Sequence, residues 1–168
     1  IITPIRDGKL TRQQEIDYLI ENGIDMSWNK AKYSVNKGLW GTSVGGEETL
    51  TSEKPLPDSA YPSQLKHSDP EKVVLTFSKG ELVALNGVEN SPEINIEVLN
   101  TLASAYAIGR DIHVGDTIVG IKGRVGFEAA AALIIIKAHH LLEKHTLTKW
   151  HQQQKDYLSN IYSMQLNK

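Results

Sequence analysis

The residues best suited to chemistry lie in "KYSVNKGLWGTSVGG", residues 32–46. Ser34 and Ser43 stand nine residues apart around a Leu39-Trp40 pair, and the stretch reads as an irregular loop with no helical or strand period. The Leu39-Trp40 pair looks buried, and the residues do not by themselves disclose what two well-separated serines do on such a loop. Ser43-Val44-Gly45-Gly46 has the composition of a phosphate cradle but lacks the preceding strand, the lysine and the following helix that make one work. A flexible turn is expected there instead. Lys122 and Arg124 flank Gly123, where they could meet an anion or simply end a strand. Of six histidines, His139, His140 and His145 fall on one expected helix, but adjacent residues diverge by about 100° and a spacing of five is poor for shared ligation. No metal site is expected, and Glu143 reads as part of a solvated Glu-Lys-His cluster. No nucleophile has a base beside it, so no catalytic residue is assigned.

The frame that must position these residues is an ordinary globular one. The chain has 168 residues, 40% hydrophobic and 23% charged, enough for one domain with room for two subdomains. A net charge of −2 offers no footprint for nucleic acid or an anionic membrane. The absence of cysteine excludes disulfides and thiolate chemistry and fits a reducing compartment, so a cytoplasmic setting is expected. The longest apolar run, Ala129 to Ile136, is far short of the roughly 20 residues that span a bilayer, and nothing reads as a signal peptide. The chain opens on Ile1 and reads as an excised piece.

Thr11 to Gln14 has capping-box spacing and predicts a short helix ending near Gly23. Gly41 to Pro70, with four of the six prolines, predicts an extended surface excursion. The runs 73–77 and 81–85 around Ser78-Lys79-Gly80 predict a hairpin, and Asn86-Gly87 its end. Ser91-Pro92 predicts a helix start, with an apolar period running from Ile94 to Tyr106. Asp111 to Arg124 predicts two short strands around a turn. Glu128 to His145 predicts a helix buried around Leu133 to Ile136, and a last helix carries Trp150, Tyr157, Ile161 and Met164 near heptad spacing. The order is α, loop, hairpin, α, β, α, α. It implies an α+β fold, a mostly antiparallel sheet packed with helices, with the C-terminal helix outlying.

Four blocks, in order, resemble argininosuccinate synthase: the serine loop 33–43, "TPIRDGKLTRQQEIDYLIENGI", "FSKGELVALNG" and "AIGRDIHVGDTIVGIKGRVGFEAAA". The resemblance covers roughly the whole chain, and the serine loop and the Gly-Ile-Lys-Gly-Arg block are its specific parts. It implies an ATP-dependent ligase that adenylates the ureido oxygen of citrulline, releases pyrophosphate, and lets the aspartate amine displace AMP to give argininosuccinate. The chain resembles the second domain of that family, which completes the citrulline site and builds the oligomer. ATP with Mg2+ would be held by the N-terminal domain, whose Ser-Gly-Gly-x-Asp-x-Ser loop is absent here.

Carried over by resemblance, Ser34 and Ser43 match two citrulline-contacting serines. A Glu and a Tyr of the family fall at Gly115 and Phe127, which have lost their polar groups. Asp116 taking over through a rearranged turn, an altered recognition of citrulline, and a substrate with an acylated α-amino group are the three explanations, the first two preferred. Residues 1–147 are expected to form the citrulline-site-completing domain and 148–168 a C-terminal helix that could serve as an oligomerisation arm, within a homo-oligomer, a tetramer in the full-length protein. The isolated piece is expected to be inactive. The rival readings are a non-catalytic assembly module and a degenerate homologue.

Overall fold

Local signals place the first elements of the computed structural model, which describes residues 1–24, 32–116 and 120–166. A short helix α1 (Pro4–Gly8) precedes α2 (Arg12–Glu21). The Thr11 hydroxyl accepts from the Gln14 backbone N–H at 3.3 Å, and the Gln14 side chain accepts from the Thr11 N–H at 2.8 Å. That reciprocal cap is the one the Thr-x-x-Gln spacing predicts.

The serine stretch is not an irregular loop. It forms an antiparallel hairpin of β1 (Tyr33–Lys37) and β2 (Thr42–Gly46), closed across Gly38–Gly41. The Tyr-Ser-Val and Thr-Ser-Val runs are good strand formers, and their signal is hidden by the Gly and Trp between them. Further along, β3 (Leu75–Ser78) and β4 (Glu81–Leu85) join through Lys79 and Gly80, both with positive φ. Asn86-Gly87 repeats that geometry and does more than end the hairpin, since it turns β4 back into β5 (Val88–Glu89).

Helix α3 (Pro92–Ser104) starts at Ser91-Pro92 as expected, though its apolar period outlasts the helix. The strands β6 (Arg110–Asp116) and β7 (Lys122–Glu128) pair antiparallel, and residues 117–119 of the turn expected between them lie outside the described residues. Two long helices close the chain, α4 (Ala130–Thr146) and α5 (Lys149–Leu166), broken at Leu147. The sheets run β1-β2-β7-β6 and β3-β4-β5, all antiparallel, so the α+β reading holds.

Two cores result. Leu82, Leu85, Ile96, Leu99, Ala131 and Ile135 join the three-stranded sheet to α3 and α4. Val44, Leu56, Ala60 and Tyr61 form the other, under the four-stranded sheet. This second core corrects the surface excursion expected for 41–70, because that segment folds back and buries Leu56, Ala60 and Tyr61. The run 133–136 is also less buried than expected. Ile135 is buried, but Leu133 and Ile136 are exposed on the far side of α4. Helix α5 buries no residue fully, as an outlying helix should, and is tied to α4 by Lys155, whose Nζ lies 2.7 Å from Glu143 Oε2. His139 Nδ1 also meets Glu143, at 3.1 Å. Glu143 is thus a buried joint between two helices, not a member of a solvated cluster.

Candidate ligand-binding face

Register decides which side chains of the four-stranded sheet share a face, since directly opposed residues point the same way and successive ones alternate. Ser34 opposes Gly45, and Asn36 opposes Ser43. Ser43 opposes Phe127, and Phe127 opposes Asp111. Val125 opposes His113, and Gly123 opposes Gly115. Ser34, Ser43, Phe127 and Gly115, brought forward from distant parts of the sequence, therefore line one face together with Asn36, Gly45, Asp111 and His113.

Asp116 does not join them. It opposes Lys122 on the other face, where its Oδ1 lies 2.5 Å from Lys122 Nζ. A strand would have to slip by one residue to bring Asp116 across.

The front face is open and lightly dressed. Ser34 is exposed, Ser43 half-buried and Phe127 37% exposed. Among the described residues neither serine hydroxyl has a protein partner, which argues against a purely local turn-capping role. A side chain added at Gly45 would meet nothing within 4 Å, so a ligand can approach the backbone there. At Gly115 the situation differs, because an added Cβ would lie 2.7 Å from His113 Nε2. The imidazole two residues back is folded over the glycine.

The rear face carries the sheet's side-chain partners. Tyr33 donates its hydroxyl to Glu48, with oxygens at 3.0 and 2.9 Å. Burial, reinforced by that carboxylate, pushes the phenol up to about 12. Arg110 reaches Glu128 at 3.2 Å and Asp58 at 3.1 Å, and its guanidinium stacks 4.7 Å from the Tyr61 ring centre. Burial raises the Tyr61 hydroxyl, with the Arg110 charge opposing it. Arg124 donates to the backbone oxygens of Glu48, Thr51 and Lys54. Lys122 and Arg124 thus serve the rear face, and no anion site on the front is needed to account for them.

The expected anchor of the serine hairpin is corrected as well. Leu39 and Trp40 are 40% and 53% exposed at the tip of the turn. Gly41 makes the close contact, since a Cβ there would come within 2.9 Å of both Ala129 Cβ and Phe127 Cε1. The hairpin is held by a missing side chain, not by a large one.

No residue set on this face fits a nucleotide. Ser43 to Gly46 is extended strand in mid-sheet, so its amides serve the ladder and do not converge on a phosphate. Among the described residues no group of three or more His, Asp or Glu could hold a metal ion. No helix of the described residues is long and apolar enough to cross a membrane. A groove of about 570 Å³ runs between the β1–β2 turn and α3, beside Lys37, Glu97 and Asn100, and does not include either serine.

Comparison with known sequences agrees with this geometry. The family description "Arginosuccinate synthase C-terminal domain" matches residues 33–167. The chain is 40% identical over 165 residues to an argininosuccinate synthase of Dictyoglomus turgidum, covering 97% of the chain and 42% of that protein. Similar proteins of the same name occur in Methanocaldococcus jannaschii, at 33% over 165 residues (96% and 42% covered), and Xylella fastidiosa, at 34% over 171 residues (95% and 41%). The chain spans about 42% of the length of the curated relatives it matches.

Proposed function

Because this chain belongs to the argininosuccinate synthase family, we propose that it forms one wall of the citrulline site in an ATP-dependent ligase that joins citrulline to aspartate. The observation that carries this reading is the shared open face of Ser34, Ser43, Phe127 and Gly115. A flat face can orient a ligand but cannot enclose it. The wall opposite, and the site for ATP with Mg2+, belong in this reading to the remainder of the parent protein, since the residues described here do not fit a nucleotide. ATP would supply the adenylation that makes the ureido oxygen a leaving group, with pyrophosphate and then AMP released. Aspartate likewise would bind through that remainder.

The work of this chain is positional. The Ser34 and Ser43 hydroxyls, unpartnered on adjacent strands, are free to donate to and accept from the ligand. Each such bond is worth roughly 0.5–1.5 kcal/mol net. The backbone at Gly45 allows close approach, and the Phe127 ring offers an apolar shoulder in place of a phenol. With the site for ATP placed in the remainder of the parent protein, the isolated chain should not catalyse ligation. The proposed setting is the cytoplasm.

The test uses the full-length parent enzyme and a citrulline-dependent pyrophosphate-release assay. Ser34→Ala and Ser43→Ala should each raise the citrulline KM about two- to tenfold with kcat less affected. An unchanged KM in both variants overturns the assignment. A wild-type enzyme with no citrulline-dependent release would instead mean a degenerate homologue.

A second role rests on a separate observation. Trp150, Tyr157, Leu158, Tyr162 and Met164 are all more than half exposed on α5. An aromatic stripe of that extent suits packing against another copy, consistent with a homo-oligomer such as a tetramer in the parent. Replacing Trp150 and Tyr157 with Ser should shift sedimentation of the parent toward smaller species.

A further inference from the structure

We infer that His113, and not Asp116, is the residue that meets the amino-acid end of the ligand where Gly115 has left a position without a side chain. The inference rests on reading this face as the citrulline wall. Two observations carry it. Strand register puts His113 on the face of Ser34, Ser43 and Phe127, whereas Asp116 lies behind the sheet against Lys122. Independently, His113 Nε2 lies 2.7 Å from where a Cβ on Gly115 would sit. The imidazole fills the space that a longer side chain at 115 would leave through, and Gly115 is the residue that permits it.

The exchange changes the chemistry of recognition. A carboxylate at 115 would bind an α-ammonium by charge. A neutral imidazole offers one acceptor nitrogen to the same group without a charge. An imidazolium offers only donors and repels it. Accepting from an α-ammonium therefore requires the unprotonated imidazole, a requirement that a carboxylate at 115 would not impose.

The groups facing His113 are few. Its own strand presents Asp111, whose Oδ1 accepts from the Ile112 N–H at 2.7 Å. Neighbouring β7 presents Val125, Gly123 and Phe127, none of which titrates. The nearest front-face residues of β1 and β2 are Ser34, Asn36, Ser43 and Gly45, also uncharged. Among the described residues, Asp111 is the charged side chain that register places on this face beside His113.

The experiment measures citrulline KM and kcat of the full-length enzyme from pH 5.5 to 8.5. In wild type, KM should rise as pH falls through the imidazole range. His113→Ala should raise KM on the order of tenfold at pH 8 with kcat changed much less, and should abolish that acid dependence. His113→Ala with Gly115→Glu should restore a low KM that stays flat across the same range. A wild-type KM that falls with acidification, or His113→Ala with unchanged KM and pH profile, overturns the inference. An enzyme in which Ser34→Ala and Ser43→Ala are also silent has lost the parent reading; one in which only the His113 variant is silent has lost this inference alone.

Discussion

The two faces of the β1-β2-β7-β6 sheet are made from the same strands and are built on opposite principles. Behind it, Tyr33 meets Glu48, Arg110 meets Glu128 and Asp58, Arg124 meets backbone carbonyls and Val44 packs with Leu56 and Tyr61, while Val35, Lys37 and Val114 stay exposed. In front stand Ser34, Asn36, Ser43, Asp111, His113, Val125, Phe127 and three glycines, and among the described residues neither serine hydroxyl has a partner. The rear residues hold the sheet to the segments behind it, and the front ones are left exposed or half-buried. The contrast teaches that the frame of the proposed binding face is set by chemistry on its opposite side.

Substitutions can break or sharpen that contrast. The largest effect is expected behind the sheet. Arg110→Ala leaves Glu128 buried and uncompensated, and should cost about 3–5 kcal/mol of stability in urea unfolding. A loss below about 1 kcal/mol would show that the rear network is not what holds the sheet. In front, Gly45→Val should leave stability within about 1 kcal/mol, because its Cβ meets open space and valine favours strands. The same change should raise the citrulline KM of the parent on the order of tenfold by standing where the ligand approaches. If KM is unmoved, the ligand does not lie over Gly45.

The Glu143 joint gives a smaller and pH-dependent effect. The hydrogen bond from Lys155 holds its carboxyl below the usual range, against an opposing effect of burial, with the charges of Lys155, His139 and His140 adding to the lowering. A depressed folded value means the stabilisation is complete above the unfolded carboxylate pKa of about 4.3 and is lost as pH falls through the folded value. Protection factors of the α5 amides, corrected for intrinsic exchange, should therefore fall on acidification below about pH 4. Lys155→Ala should destabilise by about 1 kcal/mol at pH 7, because Lys155 is itself about half exposed and His139 remains beside Glu143, and should shrink the acid effect. The smallest change is Ser34→Ala, which should alter unfolding free energy by less than about 0.5 kcal/mol while still affecting ligand binding.

Much of the fold was legible wherever a short-range signal dictates geometry. Thr11-x-x-Gln14, Lys79-Gly80, Ser91-Pro92 and the Leu147 break each act within four residues, and each stands where its spacing predicts. The serine hairpin was legible too, in the Tyr-Ser-Val and Thr-Ser-Val runs, but Trp40 and the glycines masked it. That His113 shares a face with Gly115 could have been read by counting two residues back once a strand was assumed there.

The amino-acid sequence by itself determined the Lys79-Gly80 turn, the helix starts and the family, because these rest on residue type and on spacing along the chain. Tertiary structure alone decided that four separated residues share one face, that Asp116 does not, that Glu143 is buried and that Trp40 is not. The physical reason is that facing depends on register between strands and on what packs behind them. A slip of one residue inverts every side chain of a strand, and nothing local to Asp116 or His113 records which register the partner strand will take.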